Sequence, residues 1–233
     1  MKIAPIIGVL ACLSGVVMCI TRAEDSPRTL GKPAVSELVS QLTDDDFGTR
    51  FAAGMALVRL GSNASPAVPV IGRLLEAEPQ KFHDVMLKVV ENCPSASQSI
   101  KPSLQACLTS PNANLRVCCA RTLWVLDHTY ADMTRPVANG CLGEADAGAR
   151  VEAASLLWRM DKNAKEVVPT LAALLSNPET AYDYRTIKLL GQIGPPAKEA
   201  IPALKVWLKT KRMPEAFVTN AAVEALQRIG AEP

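Results

Sequence analysis

The chain is poor in the residues that usually announce catalysis or metal binding. It has only two histidines, His83 and His128, and aromatic residues make up 4% of its 233 positions. Two histidines so far apart, with no cysteine or carboxylate at ligand spacing, do not make a zinc cage, so no metal site is expected. G-x-S-x-G, the P-loop and the dinucleotide-binding fingerprint are all absent, which removes the commonest sequence grounds for a hydrolase, a nucleotidase or a nicotinamide enzyme. No cofactor or catalytic residue is therefore assigned. Strand-like alternation of apolar and polar residues is nearly absent too, which points to an all-α chain. Scarcity of large rings suits closely packed helices whose core is filled by small and aliphatic side chains.

An excess of one charge is also missing. The chain carries 25 Lys and Arg against 23 Asp and Glu. Lys2 and Arg22 lie in the first 23 residues, so the remainder is balanced at 23 against 23. A nucleic-acid-binding protein needs a concentrated basic footprint, and a balanced chain argues against one. Lys198, Lys205, Lys209, Lys211 and Arg212 cluster near the end, in the manner of solvated helix faces.

Residues 1–23 read as a secretory signal peptide. Lys2 is followed by an uncharged stretch over residues 3–20, and Thr21-Arg22-Ala23 places small residues at the −3 and −1 positions of a cleavage site. The alternative is an uncleaved anchor, since 18 apolar residues just suffice to span a bilayer. Pro5, Gly8 and Gly15 weaken such a helix and favour cleavage after Ala23, with export to the periplasm or exterior and no membrane insertion afterwards. Residues 24–32 then form a linker and 33–233 the folded domain. Five cysteines remain beyond the leader: Cys93, Cys107, Cys118, Cys119 and Cys141. An odd number in an exported chain does not suggest a disulfide scaffold. Cys107 and Cys141 fall in consecutive core positions, but stacked helices lie too far apart for a disulfide. Cys118 sits in a column with Ala52 and Glu152 that faces solvent, which makes it the thiol expected to react first if any does. Asn63-Ala64-Ser65 is a glycosylation sequon in a turn.

What the chain does have is a period. Prolines at 69, 102, 136, 169 and 202 follow one another at steps of 33, 34, 33 and 33 residues. Each heads a similar run: VPVIGRLLEA, KPSLQACLTS, RPVANGCLGE, VPTLAALLSN and IPALKVWLKT. Such a period is the mark of a stacked repeat array. Turn or stop residues precede the prolines: Gly61, Pro94, Asp127, Asp161 and Gly194. Eleven residues before those stand Arg50, His83, Arg116, Arg150 and Asp183, and four before these stand Asp46, Pro79, Asn112, Asp146 and Glu179, mostly helix-start signals. Each unit is thus a start signal, a helix A, a tight turn and a helix B. The Asp44-Asp45-Asp46 run fits helix capping better than a cation site.

On helix A the small or apolar positions fall 3, 4, 7 and 10 residues after the arginine column, as in Ala53, Gly54, Leu57 and Leu60 or Ala153, Ala154, Leu157 and Met160. Those offsets make one helical face, with small residues early on it that let a neighbouring helix approach. Residues 33–42 match a lone helix B, and 215–229 a lone helix A ending at Gly230. The count is five helix pairs with a half-repeat at each end.

These units resemble HEAT repeats, of the short, Ala-rich kind found in the bilin-lyase-like group. TRFAAGMALVRLGSNASPAVPVIGRLL, ARVEAASLLWRMDKNAKEVVPTLAALL and IKLLGQIGPPAKEAIPALKVWL carry the resemblance best. It covers residues 33–230 and implies a right-handed α-solenoid whose B helices line a concave surface. The second repeat departs from it, with His83 in the arginine column and Pro94 in place of Gly, and the fifth has Arg185 two positions late. His83 is expected to hydrogen-bond between repeats.

Two features stand out as recognition surfaces. The helix B column three residues after the proline reads Gly72, Gln105, Asn139, Ala172 and Lys205, with Arg73 adjacent. Its polar, mixed-charge character suits a protein partner. Trp124 and Trp158 share a column on the flank of helix A. The expectation is a non-catalytic, exported scaffold that binds a protein through its helix B face. Its alternatives are an accessory protein holding a small ligand or chromophore, and a structural module of an envelope assembly.

Overall fold

The computed structural model of the protein describes residues 32–77, 83–176, 182–210 and 216–232. The expected leader and most of the linker lie outside these residues, as do Pro79, Glu179, Lys211 and Arg212. All regular structure among the described residues is helical, and the repeat unit Gly31–Pro233 is an α-solenoid. A lone helix α1 (Lys32–Gln41) comes first. Five pairs follow: α2 (Phe47–Leu60) with α3 (Val68–Ala77), α4 (His83–Glu91) with α5 (Lys101–Cys107), α6 (Ala113–Leu126) with α7 (Ala131–Cys141), α8 (Ala147–Asp161) with α9 (Ala164–Leu175), and α10 (Asp183–Ile193) with α11 (Ile201–Thr210). A lone α12 (Ala216–Ile229) closes the array. The even-numbered helices form layer A, each packed on the next, and the odd-numbered ones form layer B.

Helix starts follow from side-chain chemistry. Asp46, Asn112 and Asp146 each sit in extended backbone and accept the N–H three residues on, from Thr49 at 2.7 Å, Leu115 at 3.1 Å and Ala149 at 2.8 Å. Each such N-cap contributes about 1 kcal/mol by satisfying an otherwise orphaned donor. Asp46 also accepts the Thr49 hydroxyl, and Asp44 accepts the Asp46 N–H, so two of the three carboxylates in this run are engaged locally. The arginine column serves the same loops. Arg50 donates to the carbonyls of Asp44 and Asp45, and Arg116 to those of Ser110 and Pro111, tying down the turn before each helix A.

Helix ends behave as the stop column predicts. Gly61 and Gly194 hold φ of 56° and 71° with ψ of −131° and −142°, a conformation L side chains avoid. Asp161 ends α8, and Lys162 takes the left-handed C-cap position after it, at φ 54°. The five ladder prolines all lie on the solvent side of layer B. Pro69, Pro102 and Pro202 are second residues of their helices, where a missing N–H costs nothing. Pro136 and Pro169 sit deeper, as sixth residues, because α7 and α9 start several residues earlier than the other B helices.

The core fills the space between layers, and its largest fully buried side chains are leucines and isoleucines such as Leu57, Ile71, Leu104, Leu123, Leu157 and Leu190. Burying one such side chain contributes about 1.5–3 kcal/mol. Trp207 is the only aromatic in this core among the described residues, and its indole N–H donates to Asp183 at 2.8 Å. That bond explains the acidic residue in the fifth position of the arginine column. His83, in the second position, is likewise buried at the start of α4. Repeats are also stapled through their prolines' neighbours. Lys101, just before Pro102, pairs with Asp127 of the next repeat at 3.0 Å, and Arg135, just before Pro136, pairs with Asp161 of the next. The Thr129 hydroxyl, Lys101 and the Thr129 N–H hold the Asp127 carboxyl down at a pKa of about 2.

Close approach within layer A is set by small residues. A Cβ added at Gly191 would lie 3.2 Å from Ala225 Cα and Cβ on α12. Gly191→Val is therefore expected to destabilise the fold by about 1–3 kcal/mol. Gly140→Ala, on exposed α7 with nothing within 4 Å of the new carbon, is expected to be neutral or to add up to about 1 kcal/mol. Urea unfolding of both variants checks this, and equal midpoints would show that close packing of α10 on α12 is not limiting.

Candidate functional site

Layer A carries a second face. Two residues after the arginine column stand Ala52, Val85, Cys118, Glu152 and Arg185, and five after it stand Met55, Lys88, Arg121, Ser155 and Lys188. At 100° per residue these positions point away from the core-facing offsets, so they should lie in solvent. Several do not. The Glu152 side chain is 2% exposed and that of Arg121 12%, and Glu91, eight residues after His83, is 4% exposed. Side chains of neighbouring A helices cover this face.

The charges there form an alternating chain across four helices. Lys88 and Glu91 on α4 pair at 2.9 Å. Arg121 on α6 donates through Nε to Glu91 at 2.9 Å and through Nη1 to Glu152 on α8 at 2.7 Å. Arg185 on α10 pairs with the other carboxylate oxygen of Glu152. The Thr122 hydroxyl adds a 3.3 Å bond to Glu91. The sign runs plus, minus, plus, minus, plus. Burial opposes ionisation of Glu91 more than any other single influence, yet Arg121 and Lys88 together outweigh it and hold the carboxyl below its ordinary range. Arg121, clasped by carboxylates on both sides, stays charged despite its own burial.

Cys118 lies beside this chain and is fully buried. Its thiol donates to Asp84 at 2.7 Å and lies 3.2 Å from the Asn114 side-chain oxygen. Burial first, and then the Asp84 carboxylate, push its pKa well above the usual thiol range. The solvent-facing, reactive thiol expected here is thus corrected: Ala52 and Arg185 of this column are exposed, but Cys118 on α6 and Glu152 on α8 are covered. All five cysteines of the array are buried, and none of them forms a disulfide. Cys107 and Cys119 are close enough to share a hydrogen bond, which together with burial raises the Cys119 pKa.

Above the chain of charges is an open cleft of about 470 Å³. It reaches five consecutive A helices. Met55 and Val58 of α2 with Val85 of α4 make an apolar end; Arg121 and Glu152 lie along its floor; Ser155, Arg159 and Arg185 of α8 and α10 form the other end. Ser155 and Arg185 also line an adjoining hollow of about 210 Å³ that extends to Tyr184 and Lys188. Glu91 and Glu152 are paired to arginines and Cys118 is kept protonated, so what the cleft presents most plainly is charge and shape.

The residues expected from sequence fall elsewhere. Arg73 and Asn139 are exposed and Gln105 and Lys205 half-buried, all on layer B. Gln105 Nε2 lies 3.9 Å from the Met133 sulfur on α7. Trp124 and Trp158 are half-buried on layer A. Trp124 stacks on His128 at 4.4 Å, and the Arg159 guanidinium lies over its ring at 5.2 Å. Lys162 lies 5.0 Å over Trp158. Trp124 thus adjoins the cleft through Arg159. The signals that mark the cleft are charged residues in mid-helix columns and Arg185 standing two positions out of register.

Arg121→Met leaves two buried carboxylates without their shared partner, and the expected cost is about 3–5 kcal/mol at neutral pH. The sign of its pH dependence is fixed. In the native protein Glu91 has a lowered pKa, so its ionised form adds stability above the ordinary value of 4.5 and loses it as pH falls below. In R121M, acid discharges the two carboxylates, which keep only Lys88 and Arg185 as partners, so the deficit relative to the native protein shrinks as pH falls toward and below about 4.5. Denaturant unfolding at several pH values measures this. A deficit that is independent of pH would show that Arg121 acts through packing alone.

No family model and no curated protein matches the chain. Among solved structures it is similar to that of an engineered protein, with a TM-score of 0.47 and 22% identity over 85% of this chain and 58% of that one. The chain thus spans 58% of that protein's length. It is also similar to the complex of CpcE and CpcF of phycocyanin lyase from Nostoc sp. PCC7120, with a TM-score of 0.43 and 17% identity over 90% of this chain and 98% of that one.

Proposed function

We propose that this chain is a non-catalytic repeat scaffold that holds a segment of a partner protein along layer A, and that it works outside the cytoplasm after removal of residues 1–23. The observation that carries this reading is the single open cleft shared by five consecutive A helices. An enclosed apolar pocket with a few converging polar groups would favour a small ligand. This cleft is open, has an apolar end and a cationic end, and extends across several helix spacings of about 8–10 Å each. A protein segment matches that length and mixture. The buried ion pairs fix the floor before any partner arrives, which lowers the ordering cost of binding.

Layer B supplies the natural comparison surface, through Arg73, Gln105, Asn139 and Lys205. Partner capture from the native compartment tests the choice between faces. Ser155→Trp, which fills the α8–α10 end of the cleft, is expected to reduce capture at least tenfold, while the triple variant Q105A/N139A/K205A retains it. Loss of capture in the triple variant with retention in S155W would move the binding face to layer B. N-terminal sequencing of the captured protein is expected to begin at Glu24, and an intact Met1 would overturn export by cleavage.

A further inference from the structure

The cleft's charges are unevenly used. Its three carboxylates, Asp84, Glu91 and Glu152, are all occupied: Asp84 by the Cys118 thiol, Glu91 by Lys88 and Arg121, Glu152 by Arg121 and Arg185. The cations outnumber them. Arg159 and Lys188 pair with no carboxylate among the described residues; Arg159 lies over Trp124 at 5.2 Å and Lys188 over Tyr184 at 5.8 Å. Both are exposed, and Arg185, though paired, keeps a side chain 43% exposed. All three stand at the α8–α10 end, around Ser155 and Arg185, where the two hollows meet. A chain with balanced charge overall therefore has a local cationic end to its cleft. Tyr184, exposed and edge-on to Phe217 at 5.2 Å, extends that end with aromatic surface.

Resting on the scaffold reading, we infer that the segment held in the cleft is an acidic one: its carboxylates lie among Arg159, Arg185 and Lys188, and an apolar side chain lies against Met55, Val58 and Val85. One end lies on α2 and α4 and the other on α8 and α10, three helix spacings or roughly 24–30 Å apart, about eight residues of extended chain. Guanidinium groups suit this role because their planar donors match carboxylates two at a time. The floor carboxylates oppose a continuous polyanion such as a nucleic acid, whose phosphates would crowd Glu91 and Glu152, whereas an acidic segment can place its charges at one end only. Arg159 and Lys188 are poised on aromatic rings, so their stems are ordered before binding.

The test uses dye-labelled peptides of about a dozen residues with one leucine about eight positions from a Glu-Glu-Asp cluster, against the protein carrying residues 24–233. Fluorescence anisotropy is expected to show the acidic peptide binding at least tenfold more tightly than its Gln-Gln-Asn counterpart, with the ratio falling as salt is raised from about 50 to about 300 mM. R159E/K188E, which changes only exposed side chains, is expected to abolish that preference and to favour a Lys-Lys-Lys peptide. R159Q/K188Q is expected to abolish it without reversal, and circular dichroism of both variants checks that the helices persist. Equal binding of the acidic and amide peptides would overturn the inference while leaving the scaffold reading intact, provided S155W still weakens both. An acidic preference unchanged in R159E/K188E would place the anion elsewhere and overturn it. Equally tight binding of a single-stranded oligonucleotide, or displacement of the peptide by millimolar inorganic phosphate, would show a general anion site and overturn it also. Binding of none of the peptides, with capture dependent on Gln105, Asn139 and Lys205, would remove the scaffold reading for layer A altogether.

Discussion

A helix pair in an array of this kind cannot bury its own apolar face; it needs the next pair, and the distance to that pair is set by how small the touching residues are. In layer A that requirement falls on Ala53 and Gly54, on Cys119 and Ala120, on Ala153 and Ala154, and on Gly191 against Ala225. Close approach there brings the outward-pointing side chains of successive A helices within reach of one another. Beyond the local Lys88–Glu91 pair, the charge chain to Arg185 and the cleft above it are products of that approach, because its other pairs join different helices. Stability in such arrays is largely a sum of nearest-neighbour interfaces, and here an electrostatic tie is added at the interfaces from α4 to α10.

The fold is readable in the sequence because every repeat states it again. A cap residue, a stop residue and a proline recur at fixed offsets, and a mistake in one repeat is corrected by the other four. Asp46, Asn112 and Asp146 cap as their column predicts, and Gly61 and Gly194 end their helices. The site has no such redundancy. Each of its groups occurs once: Glu91 on α4, Arg121 on α6, Glu152 on α8, Arg185 on α10. Only pairing across repeats gives them meaning, and pairing depends on how closely the repeats stack, which no column of residues displays. Cys118 shows the limit well. Its column does lie opposite the core, but exposure does not follow, since Asp84 of the neighbouring helix and Asn114 of its own lie against it. The fifth repeat holds the strongest clue. Asp183 in place of arginine serves the Trp207 indole, and the displaced Arg185 serves Glu152.

Layer B reads differently. Its prolines lie outward, its polar column is exposed or half-buried, and its inter-repeat ties run from the residue before a proline to the acidic stop of the next repeat. These ties fasten the repeats on the side away from the cleft. The two layers thus divide the work of holding the array together: partly exposed pairs along one side, of which Arg135–Asp161 is the more open to screening by salt, and pairs with enclosed carboxylates along the other.

The apolar end of the cleft has a property of its own. Met55 and Val58 belong to α2, and α2 contributes no member to the chain of ion pairs, which begins at Lys88 on α4. Movement of α2 relative to α4 would strain dispersion contacts, each tenths of a kilocalorie, and the bonds from Asn92 to the Val58 carbonyl and from Cys93 to that of Gly61, without separating any buried charge. From α4 to α10 the same displacement would break ion pairs in a desolvated setting. The cleft is therefore a fixed electrostatic ruler with one compliant wall, able to adjust its width to the size of an apolar side chain while keeping the spacing of its charges constant.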